Sequence, residues 1–255
     1  MTEPKIVLWD LETIPNLSEV MKIMPSLSDY PGLTLKASIN SIICFGYKIY
    51  GTKDTNCINI WDLKNKNIND DYELCKIIQD TLKDADAIVT HNGKRFDLKF
   101  LQTRLIFHGL PTLPKIQHID TCTESKKNLL MFNNRLNTLA KFMTSEEKME
   151  NGGWELWVKV LQGDKRSMKI MSEYCKQDVV VLEKVFKKLM PFINNLPNHN
   201  RYSPIEKNLC PNCGSSRVHR NGFRNTKTNT FLRYRCIDCG TSSHAKTDKH
   251  MLNTA

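Results

Sequence analysis

Lys5-Ile6-Val7-Leu8-Trp9-Asp10-Leu11-Glu12-Thr13-Ile14-Pro15 is the stretch on which the architecture turns. Its continuous apolar run reads as a buried strand, and Pro15 marks where the chain leaves the sheet. At the end of the strand two carboxylates stand two residues apart. A pleat sends residues i and i+2 out from the same face, so Asp10 and Glu12 project together. Like charges so placed repel unless a cation sits between them; a solvated acidic strand end is the plain alternative.

Working outward, Ile42 to Tyr50 and Cys57 to Trp61 read as two further strands. Gly51-Thr52-Lys53-Asp54 has the composition of a hairpin between them, which predicts an antiparallel meander with the first strand. The pattern then changes. Tyr72, Leu74, Ile77, Ile78 and Leu82 recur at helical spacing, Ala87 to Thr90 reads as a strand, and Phe100, Leu101 and Leu105 again fit a helix. A short strand near Ile116 to Cys122 and a long helix from about Ser167 to Met190 follow. The expected fold is α/β, a mixed sheet flanked by helices. Pro191, Pro197 and Pro204, with the asparagines among them, then end the periodicity. The domain reading is 1–195 for the main unit, 196–206 for a linker, 207–242 for a small cysteine-rich unit and 243–255 for a tail.

Two more acidic pieces accompany the first. In Val89-Thr90-His91-Asn92-Gly93-Lys94-Arg95-Phe96-Asp97 a buried strand runs into a polar turn, and an aspartate opens the next helix. Such an aspartate can simply cap that helix. In Tyr174-Cys175-Lys176-Gln177-Asp178 the spacing of four stacks tyrosine and aspartate on one face of the long helix.

Taken in order and spacing, these pieces resemble the DEDD 3′-to-5′ exonucleases of ribonuclease H-like fold, in the subclass where a tyrosine precedes the last aspartate by four. The similarity covers roughly residues 5 to 190 and is nearest to stand-alone relatives of the proofreading domain of family B DNA polymerases. It implies that Asp10, Glu12, Asp97 and Asp178 hold two Mg²⁺ or Mn²⁺ ions, and that Tyr174 orients the attacking water. In that arrangement Asp10 bridges both ions, Glu12 and Asp178 complete one site, and Asp97 acts on the second largely through water. Hard cations suit carboxylate and water oxygens, which argues against zinc as the catalytic ion. The resemblance also places Asn92 and Phe96 at the terminal nucleotide and lets Thr13 touch substrate through its backbone. A turn asparagine and a core phenylalanine are the plain alternatives. His91 reads as a loop residue, and Asp120, at another strand end, as structural, with a place at the border of the site as the lesser alternative.

Cys210-Pro211-Asn212-Cys213-Gly214 and Cys236-Ile237-Asp238-Cys239-Gly240 are two C-x-x-C-G knuckles. Four soft thiolates at this spacing make a zinc ribbon with one structural Zn²⁺, all four positions being filled. Between the knuckles Arg217, Arg220, Arg224, Arg233 and Arg235 alternate with Phe223, Phe231 and Tyr234. Basic residues interleaved with aromatics suit backbone contacts and base stacking on single strands, as in zinc ribbons of nucleic-acid enzymes; a protein-docking or purely stabilising ribbon is the alternative.

Charge points the same way. Of the net +10, residues 201 to 255 carry ten Lys/Arg against three Asp/Glu. So concentrated a basic block favours nucleic acid over a membrane, because no amphipathic helix accompanies it. The longest apolar run is too short for a membrane span and the first residues lack a secretory build, which predicts a cytoplasmic protein, in the host cytoplasm if viral. The expected substrate is the 3′ end of single-stranded nucleic acid, DNA favoured, with a separate polymerase or replication complex as a further partner. An RNA exonuclease or an endonuclease on the same site, and a catalytically inactive nucleic-acid-binding protein, are the competing readings.

Overall fold

Strand β1 (Ile6–Thr13) lies in the middle of a five-stranded sheet of order β3-β2-β1-β4-β5. β2 (Ile42–Ile49) and β3 (Asn56–Asn59) extend it as an antiparallel meander, whereas β4 (Ala87–Thr90) and β5 (Gln117–Asp120) run parallel to β1 on its other side. This is the mixed sheet the sequence predicts. The computed structural model describes residues 3–14, 41–144, 153–202, 209–245 and 252–254. Pro15 and Pro204, read as breakers, and residues 246–251 of the expected tail lie outside that set.

Helices cover both faces, which is why β1 is apolar on both. On one face α1 (Tyr72–Leu82) and α2 (Asp97–Phe107) bury Leu74, Ile78, Leu101 and Leu105 against Val7, Trp9 and Leu11. On the other, α6 (Lys165–Leu189) lays Val179, Leu182, Val185 and Phe186 against Ile6, Leu8 and Val89. α6 begins two residues earlier than its apolar pattern because Asp164 caps it, accepting the amides of Arg166 and Ser167. It gives way at Leu189 to a 3-10 turn over Met190–Phe192 that contains Pro191. Its position on the sheet is pinned by Lys48 of β2, whose ammonium lies 2.8 Å from the buried carboxylate of Glu183.

Two local expectations fail for clear reasons. The strand expected to reach Trp61 stops at Asn59, because Asn59 and Asp62 form a reciprocal capping box that turns Ile60–Asp62 into a 3-10 helix. Three short helices were not foreseen: α3 (Thr121–Asn128), α4 (Leu136–Thr144) and α5 (Trp154–Leu161). The polar α3 exists because Asp120 caps it from the end of β5.

The C-terminal residues form a second, antiparallel sheet, β6 (Val218–Asn225), β7 (Thr230–Cys236), β8 (Ser242–Ala245) and β9 (Asn253–Thr254), which continues past residue 242. It is packed on the end of α6 rather than tethered. Asn212, fully buried, donates through Nδ2 to the carbonyls of Met190 (3.0 Å) and Ile193 (3.1 Å). His199 and Asn200, within the segment read as a linker, are buried in the same seam. Among the described residues no helix is long and apolar enough to cross a membrane.

Candidate functional site

Alternation along β1 aims the carboxylates. Ile6 and Leu8 face α6, and Asp10 and Glu12 continue that face beyond the apolar core, at the carboxyl end of the parallel strands. α6 meets them with Asp178, and one ligand oxygen from each of Asp10, Glu12 and Asp178 lies within 4.8 Å of the others. Asp178 and, one turn before it, Tyr174 are buried, while Asp10 and Glu12 are partly exposed. Oxygens bound at about 2.0–2.6 Å to a single hard cation can stand up to about 5 Å apart, so this trio fits a divalent ion such as Mg²⁺ or Mn²⁺.

A glycine permits the convergence. Gly46 pairs with Asp10 across β1 and β2, and a Cβ placed on it would come within 2.9 Å of both the carbonyl oxygen and Sγ of Cys175. Only a bare Cα lets α6 come close enough to the sheet for Cys175 Sγ to reach 3.8 Å from the Asp10 carbonyl. No motif reading flags Gly46; its requirement arises between elements that are 129 residues apart in sequence.

Asp97 stands outside the trio of oxygens but is tied to it. Phe96 takes the N-cap position of α2, so Asp97 is the first helical residue and is not the cap. Its buried carboxylate accepts its own amide and that of Leu11, the residue between Asp10 and Glu12. Burial, with the nearby Asp120 charge, pushes its pKa up to about 6 against the lowering effect of those amides. A cation beside it would favour the ionised form.

Asp120 organises the loop that carries the other candidates. It accepts the amides of Asn92 (2.9 Å) and Lys94 (3.1 Å) as well as those of Cys122 and Thr123. Asn92 sits in the left-handed region at φ 66°, which asparagine tolerates, and its side chain is exposed. Phe96 is 45% exposed and leans on Phe100 with ring centroids 5.6 Å apart, so it is not a core residue. His91 is held between Thr121 Oγ1 and the Asn134 carbonyl, each 2.9 Å away. Thr13 is partly exposed at the point where the β1–β2 register shifts.

The cysteine quartet assembles as its spacing implies. The ligand sulfurs of Cys210, Cys213, Cys236 and Cys239 lie within 4.8 Å of one another, with Cys210–Cys239 at 3.5 Å and Cys213–Cys236 at 3.7 Å. A tetrahedron of sulfurs about 2.3 Å from zinc has edges of about 3.8 Å, so the cluster fits Zn²⁺. Gly214 and Gly240 turn at φ +71° and +74°, and the amides of Ser215 and Thr241 then reach the sulfurs of Cys213 and Cys239.

The five ribbon arginines are not equivalent. Arg217 is paired with Asp238, which also accepts from Ser215, so it staples one knuckle to the other. Strand register puts Arg224, Phe231, Arg233 and Arg235 on one face with His219 and His244; Arg220 shares the other with Tyr234 and covers the Phe223 ring at 5.0 Å.

Comparison with known proteins returns one family, described as RNase_H_2 of the RNase_H superfamily, over residues 32–190. That span takes in Asp97, Tyr174 and Asp178 and starts after the first strand. No match is found among curated proteins.

Proposed function

This chain belongs to the ribonuclease H superfamily, and from that premise we propose that it is a two-metal-ion 3′-to-5′ exonuclease acting on single-stranded nucleic acid, DNA favoured. The observation that carries the reading is the meeting of Asp10, Glu12 and Asp178 from the central strand and the long helix, with Asp97 buried against the amide between the first two. Divalent cations bound there supply positive charge at an in-line phosphodiester displacement and acidify water.

The chain's own groups do the positioning. Asp10, Glu12 and Asp178 would hold the cations, and Asp97, fixed by the Leu11 amide, would help to hold a second one. Tyr174, packed on the same helix face as Asp178, directs its phenol as an orienter of the attacking water more than as a base. Asn92 and the exposed Phe96 ring receive the terminal nucleotide, an amide to hydrogen-bond and a ring to pack, and Thr13 at the end of β1 touches it through its backbone. The exposed basic face of β6 and β7 adds phosphate contacts, so binding weakens steeply with salt.

The test is incubation of the protein with Mn²⁺ and 5′-labelled single-stranded DNA or RNA, beside Asp10→Asn and a 3′-blocked strand. A ladder shortening by single nucleotides, absent from both controls, is expected, stronger on DNA. A ladder on RNA alone, internal cuts in the blocked strand, or no cleavage of either polymer would replace the reading by an RNA exonuclease, an endonuclease or a binding protein respectively.

A further inference from the structure

Beyond β5, two positions from β1 in the sheet, the chain exposes apolar groups without an evident structural reason. In the connection between α3 and α4, Leu130 and Phe132 are 103% and 100% exposed. Asn134 and Arg135, which follow them in the same connection, line with His91, Asn92 and Lys126 a groove of about 450 Å³, a volume in the range of ligand clefts. His91 joins its two walls through its bond to the Asn134 carbonyl, and Ser125 donates to Asn134 Oδ1 at 2.6 Å, so the groove is built rather than incidental.

Its place and charge indicate an occupant. β1, β4 and β5 are parallel neighbours, so the residues after β4 and β5 that form the groove share the edge at which Asp10 and Glu12 emerge. Lys126 and Arg135 of its lining are exposed, as are Lys127, next in sequence to Lys126, and Lys94 and Arg95 in the loop after β4 that begins with His91 and Asn92. A fully exposed aromatic ring three residues before Arg135, in a connection at the same end of the sheet as the carboxylates, matches a single strand with a stacked base better than an apolar protein surface.

Resting on the nuclease reading above, we propose that this groove is the track along which the single strand approaches the site, its phosphates on Lys126 and Arg135 and one base stacked on Phe132. Because Phe132 is fully exposed, Phe132→Ala leaves the fold intact, which an unchanged melting temperature checks.

Affinity for fluorescein-labelled dT12, and for an abasic strand of the same length, is measured with the full chain at several salt concentrations, Ca²⁺ replacing Mn²⁺. Phe132→Ala is expected to weaken dT12 roughly 5- to 150-fold with an unchanged salt slope, and to leave the abasic strand alone, since only bases stack. Arg135→Ala should weaken both and flatten the slope by about 0.7, the share of one phosphate contact on a single strand. Wild-type affinity of Phe132→Ala for dT12, or equal losses on both strands, overturns the track, as does a loss of self-association with no change in strand binding. A protein that binds dT12 through Phe132 yet leaves it uncut with Mn²⁺ keeps the track and sinks the nuclease reading; one that cuts normally but ignores Phe132→Ala does the reverse.

Discussion

Gly46→Ala tests whether the approach of helix to strand makes the site. The added methyl carbon would lie 2.9 Å from Cys175 Sγ, 2.9 Å from the Cys175 carbonyl oxygen and 3.1 Å from Val179 Cγ2. A side-chain sulfur can rotate away, but a carbonyl in the middle of α6 cannot move unless the helix moves with it. Overpacking of this kind costs about 1–3 kcal/mol, while alanine restricts the unfolded chain and returns about 0.4–1 kcal/mol, leaving a net loss of about 1.3 kcal/mol at the middle of those ranges and at most about 2.6 kcal/mol. The effect on chemistry should be larger than that on stability. Asp178 rides on the displaced helix, and a shift approaching 1 Å in a reacting constellation can cost on the order of 100-fold in rate. Urea unfolding followed by circular dichroism reads the first quantity, and single-turnover cleavage with Mn²⁺ the second. Cys175→Ala in the same background should restore only part of each, because it removes the sulfur and leaves the carbonyl. A Gly46→Ala protein with wild-type unfolding midpoint and rate would refute the argument that α6 needs the bare Cα.

Two further outcomes are expected. Cys236→Ser should abolish stoichiometric zinc, measured by elemental analysis, and should lower the thermal midpoint of the main sheet as well, because the ribbon is packed on the end of α6 through Asn212. Burial holds the His118 pKa down to about 4 from the usual 6.5. The folded state then binds fewer protons than the unfolded one between those values, so stability is lost as pH falls through that window. His118→Gln should flatten the loss in melts recorded across it; Asp97, raised to about 6, contributes with the opposite sign in metal-free protein and cancels in the difference between the two proteins.

The features legible in the residues alone rest on short-range geometry. Two carboxylates at i and i+2 on a strand share a face, a tyrosine and an aspartate at i and i+4 on a helix share a face, and two C-x-x-C-G knuckles present four sulfurs, all because the backbone periods are local. The strand alternations and helix periods, with their order, were enough for the mixed α/β sheet. Tertiary structure alone decided which helix lies over the Asp10 face of β1, that Gly46 must lack a side chain beneath it, and that Asp97 spends its carboxylate on the Leu11 amide instead of capping α2. It likewise left Phe96 half in solvent, turned Arg217 towards Asp238, and set Phe132 and Leu130 bare in the connection whose next residues line a basic groove. Each of these depends on contacts between residues distant in the chain, and such contacts are settled by how whole faces exclude water and fill space, a property no local window of sequence carries.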